Sequence, residues 1–195
     1  MGQLIVVSNR MPGPGTPRAP IAGGMAVAVK AALKNRNAVW FGWSGKVADG
    51  AKAASRTARI NRVDYVSFDL SPVDIQEYYS GFAKNVLWPV LHYRVDLQKY
   101  SRLDASGYLR VNRLFADQLS LLIDDDAVVW VHDYQLMPLA RRLRSRGHRN
   151  AIGFFLHTPC AKRWRRSAPS SRGGNDFSGG PDEDRSKPSS QTGGG

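Results

Sequence analysis

The chain has 195 residues, of which 42% are hydrophobic, and this suits one globular domain with a buried core. The single cysteine excludes an internal disulfide and fits a reducing compartment, and no apolar run approaches the roughly 20 residues of a membrane span. The net charge of +12 suggests nucleic acid, but five arginines fall at the end of one predicted helix without interleaved aromatic residues, which is typical of a solvated face. These are Arg141, Arg142, Arg144, Arg146 and Arg149.

The start of the chain carries no recognisable export signal. Met1 leads directly into the short apolar run Leu4–Val7, whereas a signal peptide has a basic start and a longer apolar stretch. We therefore expect a cytoplasmic protein that binds neither a membrane nor nucleic acid.

Short apolar runs alternate with helical patterns from Met1 to about Pro159. This alternation indicates an α/β fold, a Rossmann-like parallel sheet with flanking helices on both faces. Ser71 is expected to cap a helix that has Pro72 at its first position. In chain order the predicted elements are the strand Leu4–Ser8, a helix opened by Gly23-Gly24, the strands Ala38–Trp43 and Tyr65–Leu70, the helix from Ser71 toward Trp88, the helix Leu109–Ile123, the strand Ala127–His132, the helix Leu136–Arg146 and the strand Ala151–Leu156.

The composition changes after Cys160. Residues 161–195 are rich in Ser, Gly, Pro, Arg and Asp and contain almost no aliphatic side chains. Such a segment buries too little apolar surface to offset its ordering entropy. We therefore expect one domain over residues 1–159 and a disordered tail over residues 160–195.

Polar side chains stand where three of the predicted strands end. Arg10 follows the first strand, and His132-Asp133 and His157-Thr158 follow the last two. Ligands of open α/β sheets bind at the carboxyl ends of the strands, so these residues predict a site. A guanidinium group there can bind phosphate oxygens in a fork, although a lone surface arginine and structural histidines are the plainer alternatives.

Paired glycines and aromatic side chains extend the predicted site. Gly23 and Gly24 precede a helix whose amino end attracts anions, without forming the dinucleotide fingerprint. Tyr79 and Trp88 supply aromatic faces that suit sugar rings, although aromatic residues more often belong to a core.

Several kinds of chemistry lack their usual residues in this sequence. No Cys/His spacing suggests a metal site, and the run Asp124-Asp125-Asp126 precedes a strand as a loop element would. The sequence also shows no carboxylate pair of a glycoside hydrolase, no nucleophile elbow and no Walker A loop. Glycosyl transfer from a nucleotide sugar fits these omissions, because the leaving diphosphate is already activated.

A set of short motifs resembles the trehalose-6-phosphate synthase family in order and spacing, over residues from about 3 to 159. The motifs are Leu4–Arg10, Ala22–Gly24, Trp40–Gly45, Glu77–Tyr79, Leu87–Pro89, His92–Arg94, Gly107–Asn112, Trp130–Tyr134 and Gly153–His157.

The resemblance implies a retaining glycosyltransferase with two Rossmann-like domains, the arrangement called GT-B, and no cofactor. It implies transfer of glucose from UDP-glucose to glucose 6-phosphate, which yields trehalose 6-phosphate and UDP. The residue roles that it implies are catalysis by His157 and Asp133, acceptor binding by Arg10, Tyr79, Trp88 and Asp133, nucleotide-sugar binding by Gly23, Gly24 and His157, and anomer selectivity from Trp88 and Thr158.

The chain departs from the family pattern in three respects, one of which is that Thr158 stands where an apolar residue is expected. The donor-side domain that the resemblance implies cannot be located, and residues after Cys160 do not resemble the family. We therefore expect an incomplete acceptor-side domain with little activity by itself. A sugar-phosphate-binding regulatory module and a basic nucleic-acid binder are the alternatives, and association into a homo-oligomer stays open.

Overall fold

The computed structural model describes residues 2–11, 24–48 and 55–158. These residues contain one six-stranded sheet. Its strands are β1 Leu4–Arg10, β2 Ala38–Val47, β3 Arg56–Ile60, β4 Val63–Leu70, β5 Val128–His132 and β6 Ile152–Phe155. The spatial order is β3-β4-β2-β1-β5-β6, and every neighbouring pair is parallel except β3 with β4.

Helical segments connect β1 to β2, β4 to β5 and β5 to β6. Ser71 caps the helix after β4 by accepting a hydrogen bond from the backbone N–H of Asp74, and Pro72 occupies its first turn, as predicted. The helical segments are α1 Gly24–Leu33, α2 Pro72–Asp74, a π-helix over Ile75–Leu87, α3 Trp88–Leu91, α4 Arg102–Ser120 and α5 Leu139–Arg144, with 3-10 turns at Val95–Leu97 and Tyr134–Leu136.

Both faces of the sheet are covered by helices, which confirms the predicted fold class. On one face Phe68 packs against Phe115 of α4, with ring centroids 4.8 Å apart at nearly a right angle. On the other face Trp40 and Val6 pack with Leu33 of α1. Parallel strands between two helical layers present apolar side chains to both sides, so their sequences are continuous apolar runs.

The sheet also contains a strand that the sequence did not predict. β3 lies at the edge and pairs antiparallel with β4 through a turn at Asn61, whose φ is 55°. Its residues Arg-Thr-Ala-Arg-Ile are mostly exposed and lack a long apolar run. The sheet is therefore mainly, rather than wholly, parallel, since an edge strand needs little burial to pair with its neighbour.

Several predicted boundaries were wrong because caps, rather than apolar periodicity, set the ends of the helices. α4 begins well before Leu109 because the Ser101 hydroxyl accepts hydrogen bonds from the backbone N–H groups of Leu103 and Asp104. α5 is shorter than predicted, since it starts after Pro138 and the chain turns at Gly147, whose φ is 90°.

No helix among the described residues is long and apolar enough to cross a membrane. The predicted disordered tail, residues 160–195, lies outside the described residues.

Candidate functional site

The polar residues that end three adjacent strands lie side by side at the carboxyl end of the sheet. β1, β5 and β6 are neighbours, and parallel pairing brings their carboxyl ends to the same side. His132 is in register with Phe155, so the residues that follow each of them emerge side by side. The sheet thus brings Arg10, Asp133 and His157 to one edge, as the sequence predicted.

Two cationic side chains and two aromatic rings lie together at the end of β1. The guanidinium carbon of Arg10 lies 5.9 Å from the centroid of the Trp43 ring. The centroids of the Trp43 and Tyr79 rings are 6.3 Å apart. The Nζ of Lys84 lies 4.7 Å from the centroid of Tyr79. Two exposed cations therefore flank an aromatic pair, an arrangement that suits a phosphorylated ligand with an apolar ring face.

Gly45 makes room for the guanidinium of Arg10. Its φ is 86°, a conformation that side chains rarely adopt, and a Cβ atom there would come within 2.5 Å of Arg10 Nε. The backbone of β2 therefore forms the surface on which Arg10 rests.

A buried hydrogen bond joins the π-helix to the end of β1. The Tyr78 hydroxyl donates to Asn9 Oδ1 over 2.8 Å, and Tyr78 itself is fully buried. Burial, and then the neighbouring Tyr108, raise the pKa of Tyr78 well above its usual value, so it stays a neutral donor. Asn9 directly precedes Arg10, and Tyr78 directly precedes Tyr79. This bond therefore holds Arg10 and Tyr79, the two residues predicted to bind phosphate, in a defined relative position.

An ion pair also anchors the π-helix to α4. Arg110 of α4 bridges Glu77 at 2.8 Å and Asp74 at 2.7 Å. Gly107, one helical turn before Arg110, leaves space for the buried Glu77 side chain. The ion pair and the close packing set the position of the helix that carries Tyr79.

Asp133 has an unusual backbone conformation. Its φ is 72° and its ψ is 167°, a region that is almost restricted to glycine. Its Oδ1 accepts hydrogen bonds from the Tyr134 N–H at 3.0 Å and the Thr158 hydroxyl at 3.2 Å. Both bonds use one oxygen, so the carboxylate is oriented by its neighbours while the other oxygen can accept from a ligand.

His132 and His157 are joined directly. His132 Nδ1 lies 2.8 Å from His157 Nε2, and the two rings are nearly parallel. His132 is buried and His157 is exposed. Burial, followed by the positive charge that His157 can carry, lowers the pKa of His132 to about 4, against a smaller opposing effect of Asp133.

No described contact links Trp88 or Gly24 to the other predicted site residues. Trp88 stacks on His92, with centroids 4.0 Å apart, and is 43% exposed. Gly24 is the first residue of α1, with open space where a Cβ would lie, whereas Gly23 falls outside the described residues. Within the described part of the chain, no group of three His, Cys, Asp or Glu side chains could hold a metal ion.

Two contributors to the site were missed by sequence reasoning. Asn9 could have been found, because it precedes Arg10 at a strand end. Lys84 could not, because it lies five residues after Tyr79, and residues five apart point in different directions on an α-helix. The π-helix, in which hydrogen bonds join residues five apart, brings them to one face.

The sheet order defines an α/β protein whose mainly parallel sheet carries a candidate ligand site at its carboxyl end. The chain belongs to glycosyltransferase family 20, whose family model matches residues 7–163. This confirms the family that the sequence motifs indicated.

Individual relatives agree with this assignment. The trehalose-6-phosphate synthase of Enterobacter sp. (strain 638) is 50% identical over 159 residues, which cover 82% of this chain and 33% of that protein. The solved structure of an alpha,alpha-trehalose-phosphate synthase (UDP-forming) from Burkholderia xenovorans in complex with glucose-6-phosphate is 46% identical, with a TM-score of 0.72 and coverage of 80% of this chain and 33% of that chain. A solved Escherichia coli structure bound with UDP-2-fluoro glucose is also 46% identical, with a TM-score of 0.71 and the same coverage. The chain thus spans about a third of the length of the relatives that it matches.

Proposed function

We propose that these residues form the acceptor-binding side of a retaining glucosyltransferase, which transfers glucose from UDP-glucose to glucose 6-phosphate and yields trehalose 6-phosphate and UDP. The observation that supports this most is the group of two cations and two aromatic rings at the end of β1. The relatives bound to glucose-6-phosphate and to UDP-2-fluoro glucose support the same two ligands.

The acceptor contacts follow from the chemistry of the side chains. Arg10 presents a planar fork to the phosphate oxygens, and Tyr79 adds a hydroxyl donor. Lys84 adds a second positive charge beside Tyr79. Asp133, already oriented through Oδ1, accepts hydrogen bonds from acceptor hydroxyls through its other oxygen.

The donor contacts are proposed for the neighbouring strand end. His157 meets the donor glucose near the reacting centre, and Gly23 and Gly24 let the diphosphate approach the amino end of α1. Trp88 and Thr158 are proposed to influence which anomer forms. The departing phosphate itself assists the incoming hydroxyl, so the protein contributes mainly by orienting both sugars and stabilising charge.

The domain limits and location are proposed on the same basis. Residues 1–159 would form the acceptor-side domain and residues 160–195 a tail outside it. The cytoplasm is the proposed location, because the lone Cys160 suits a reducing compartment. An alternative function is a sugar-phosphate-binding regulatory module without catalysis, since Arg10 and Lys84, the two cations proposed to bind the phosphate, both belong to this chain.

Glucose 6-phosphate binding tests the acceptor site. The chain should bind glucose 6-phosphate saturably and glucose far more weakly, by calorimetry. Arg10→Ala should weaken the affinity about 10- to 100-fold, the effect of losing hydrogen bonds to a charged group. Arg36→Ala, which removes the same charge at an exposed position after α1, is the matched control and should bind normally. Equal weakening in both variants would refute a specific role for Arg10.

Turnover separates the enzyme from the binding module. Residues 1–159 joined to the part of the Enterobacter sp. synthase that they do not cover should release UDP from UDP-glucose only with glucose 6-phosphate present, whereas the 195-residue chain alone should release little. Binding without turnover in that joined protein would favour the regulatory alternative.

A further inference from the structure

His132, the buried histidine at the end of β5, makes none of the proposed ligand contacts. It is hydrogen-bonded to His157, which is proposed to contact the donor sugar. His132 is 1% exposed, and its Nδ1 lies 2.8 Å from His157 Nε2. Its other ring nitrogen, Nε2, is buried and has no hydrogen-bond partner among the described residues. A buried polar atom without a partner calls for an explanation. If the single ring proton of His132 sits on Nδ1 and is donated to His157, the buried Nε2 carries no proton and no buried donor is left unpaired.

The two rings can share their bond in only two ways while His132 is neutral. Its pKa of about 4 keeps it neutral at ordinary pH, mainly because of burial, so it carries one ring proton. In the first arrangement His132 Nδ1–H donates to His157 Nε2. In the second, His157 Nε2–H donates to His132 Nδ1, and the proton of His132 sits on its buried Nε2.

Burial favours the first arrangement. The second leaves an N–H donor in an apolar setting beside the rings of Trp130 and Phe155, and unpaired buried N–H groups are among the rarest defects in folded proteins. The first leaves only a bare ring nitrogen there. It also requires His157, when neutral, to carry its proton on Nδ1, because its Nε2 is accepting.

We propose that His132 is a positioning residue that holds His157 in the tautomer with the proton on Nδ1. His157 then presents a neutral N–H donor on the exposed side of its ring, suited to a hydroxyl oxygen of a bound sugar. The sugar as ligand rests on the proposed function, whereas the tautomer rests only on the buried bond.

Nitrogen NMR of the histidine rings tests the proposal on the 195-residue chain without any ligand. With ¹⁵N-labelled histidine and neutral rings, His157 should show a protonated Nδ1 and a bare Nε2. His132→Leu removes the donor, so His157 should move toward the Nε2–H form that free imidazole side chains prefer. His132→Asn can place an amide donor near the position of Nδ1, and it should preserve the Nδ1–H form.

The same spectra contain their own control for folding. His92 Nδ1 lies 2.7 Å from the Trp88 carbonyl oxygen and His148 Nε2 lies 2.9 Å from Ser120 Oγ, so unchanged signals from both rings show that the fold is intact. A wild-type His157 protonated mainly on Nε2 would overturn the proposal, as would an unchanged His157 in a folded His132→Leu chain. Failure to bind UDP-glucose or glucose 6-phosphate, with the tautomer as expected, would refute the proposed function and leave the role of His132 standing.

Discussion

The buried His132 should make the fold sensitive to acid. Its pKa is about 4 in the folded chain and about 6.5 when exposed, so below about pH 6.5 the unfolded state binds a proton that the folded state does not. A histidine whose pKa is lower in the folded state than in the unfolded state favours unfolding as the pH falls, because protons bind preferentially to the unfolded state. Stability is therefore complete above about pH 6.5 and is lost between about pH 6.5 and about pH 4.

The size of the loss follows from the two pKa values. At 1.36 kcal/mol per pKa unit, the full difference corresponds to at most about 3 kcal/mol below pH 4. Between about pH 7.5 and about pH 5, linkage gives a loss of about 2 kcal/mol from this group. That is a large share of the roughly 5–15 kcal/mol that keeps a domain folded.

Urea unfolding followed by circular dichroism at several pH values measures this loss. His132→Leu has no proton to take up, so its stability should fall about 2 kcal/mol less than that of the wild type over the same pH range. His92→Gln, a change in a half-buried histidine at the end of α3, should retain the wild-type pH dependence. If His132→Leu loses as much stability in acid as the wild type, His132 is not a buried neutral group and the reasoning fails.

Three further substitutions test the packing around the site. Phe115→Ala should cost about 3–5 kcal/mol in urea unfolding, because the ring is fully buried against Phe68. Gly107→Ala adds a methyl group that collides with Glu77, so overpacking of about 1–3 kcal/mol should outweigh the gain of about 1 kcal/mol in helix propensity. Asp133→Gly should cost no stability, because relief of about 1–3 kcal/mol of backbone strain offsets two hydrogen bonds, while glucose 6-phosphate binding should be largely lost.

Controls for these substitutions are available in the same chain. Gly24→Ala introduces a methyl group into open space and should not destabilise the fold. A Gly107→Ala chain as stable as the wild type would contradict the close packing of Glu77 on α4. A loss of more than about 2 kcal/mol in Asp133→Gly would show that its conformation is not strained.

Much of the site was accessible from sequence because strand ends are visible in sequence. The apolar runs of β1, β5 and β6 stop at polar residues, and parallel strands must bring those residues to one edge. The edge strand β3 was missed, since exposed pairing leaves no apolar pattern. The π-helix was missed because no known residue pattern separates it from an α-helix, and it alone places Lys84 beside Tyr79.

The sequence by itself determined the family, the α/β sheet and the positions of Arg10, Asp133 and His157 at strand ends. Those properties depend on local runs and on motif order, which the chain carries along its length. Only the tertiary structure decided which atoms meet: Tyr78 with Asn9, Thr158 with Asp133, and His132 with His157. These bonds join residues at least 25 positions apart, so they depend on sheet register and burial, which no single segment encodes.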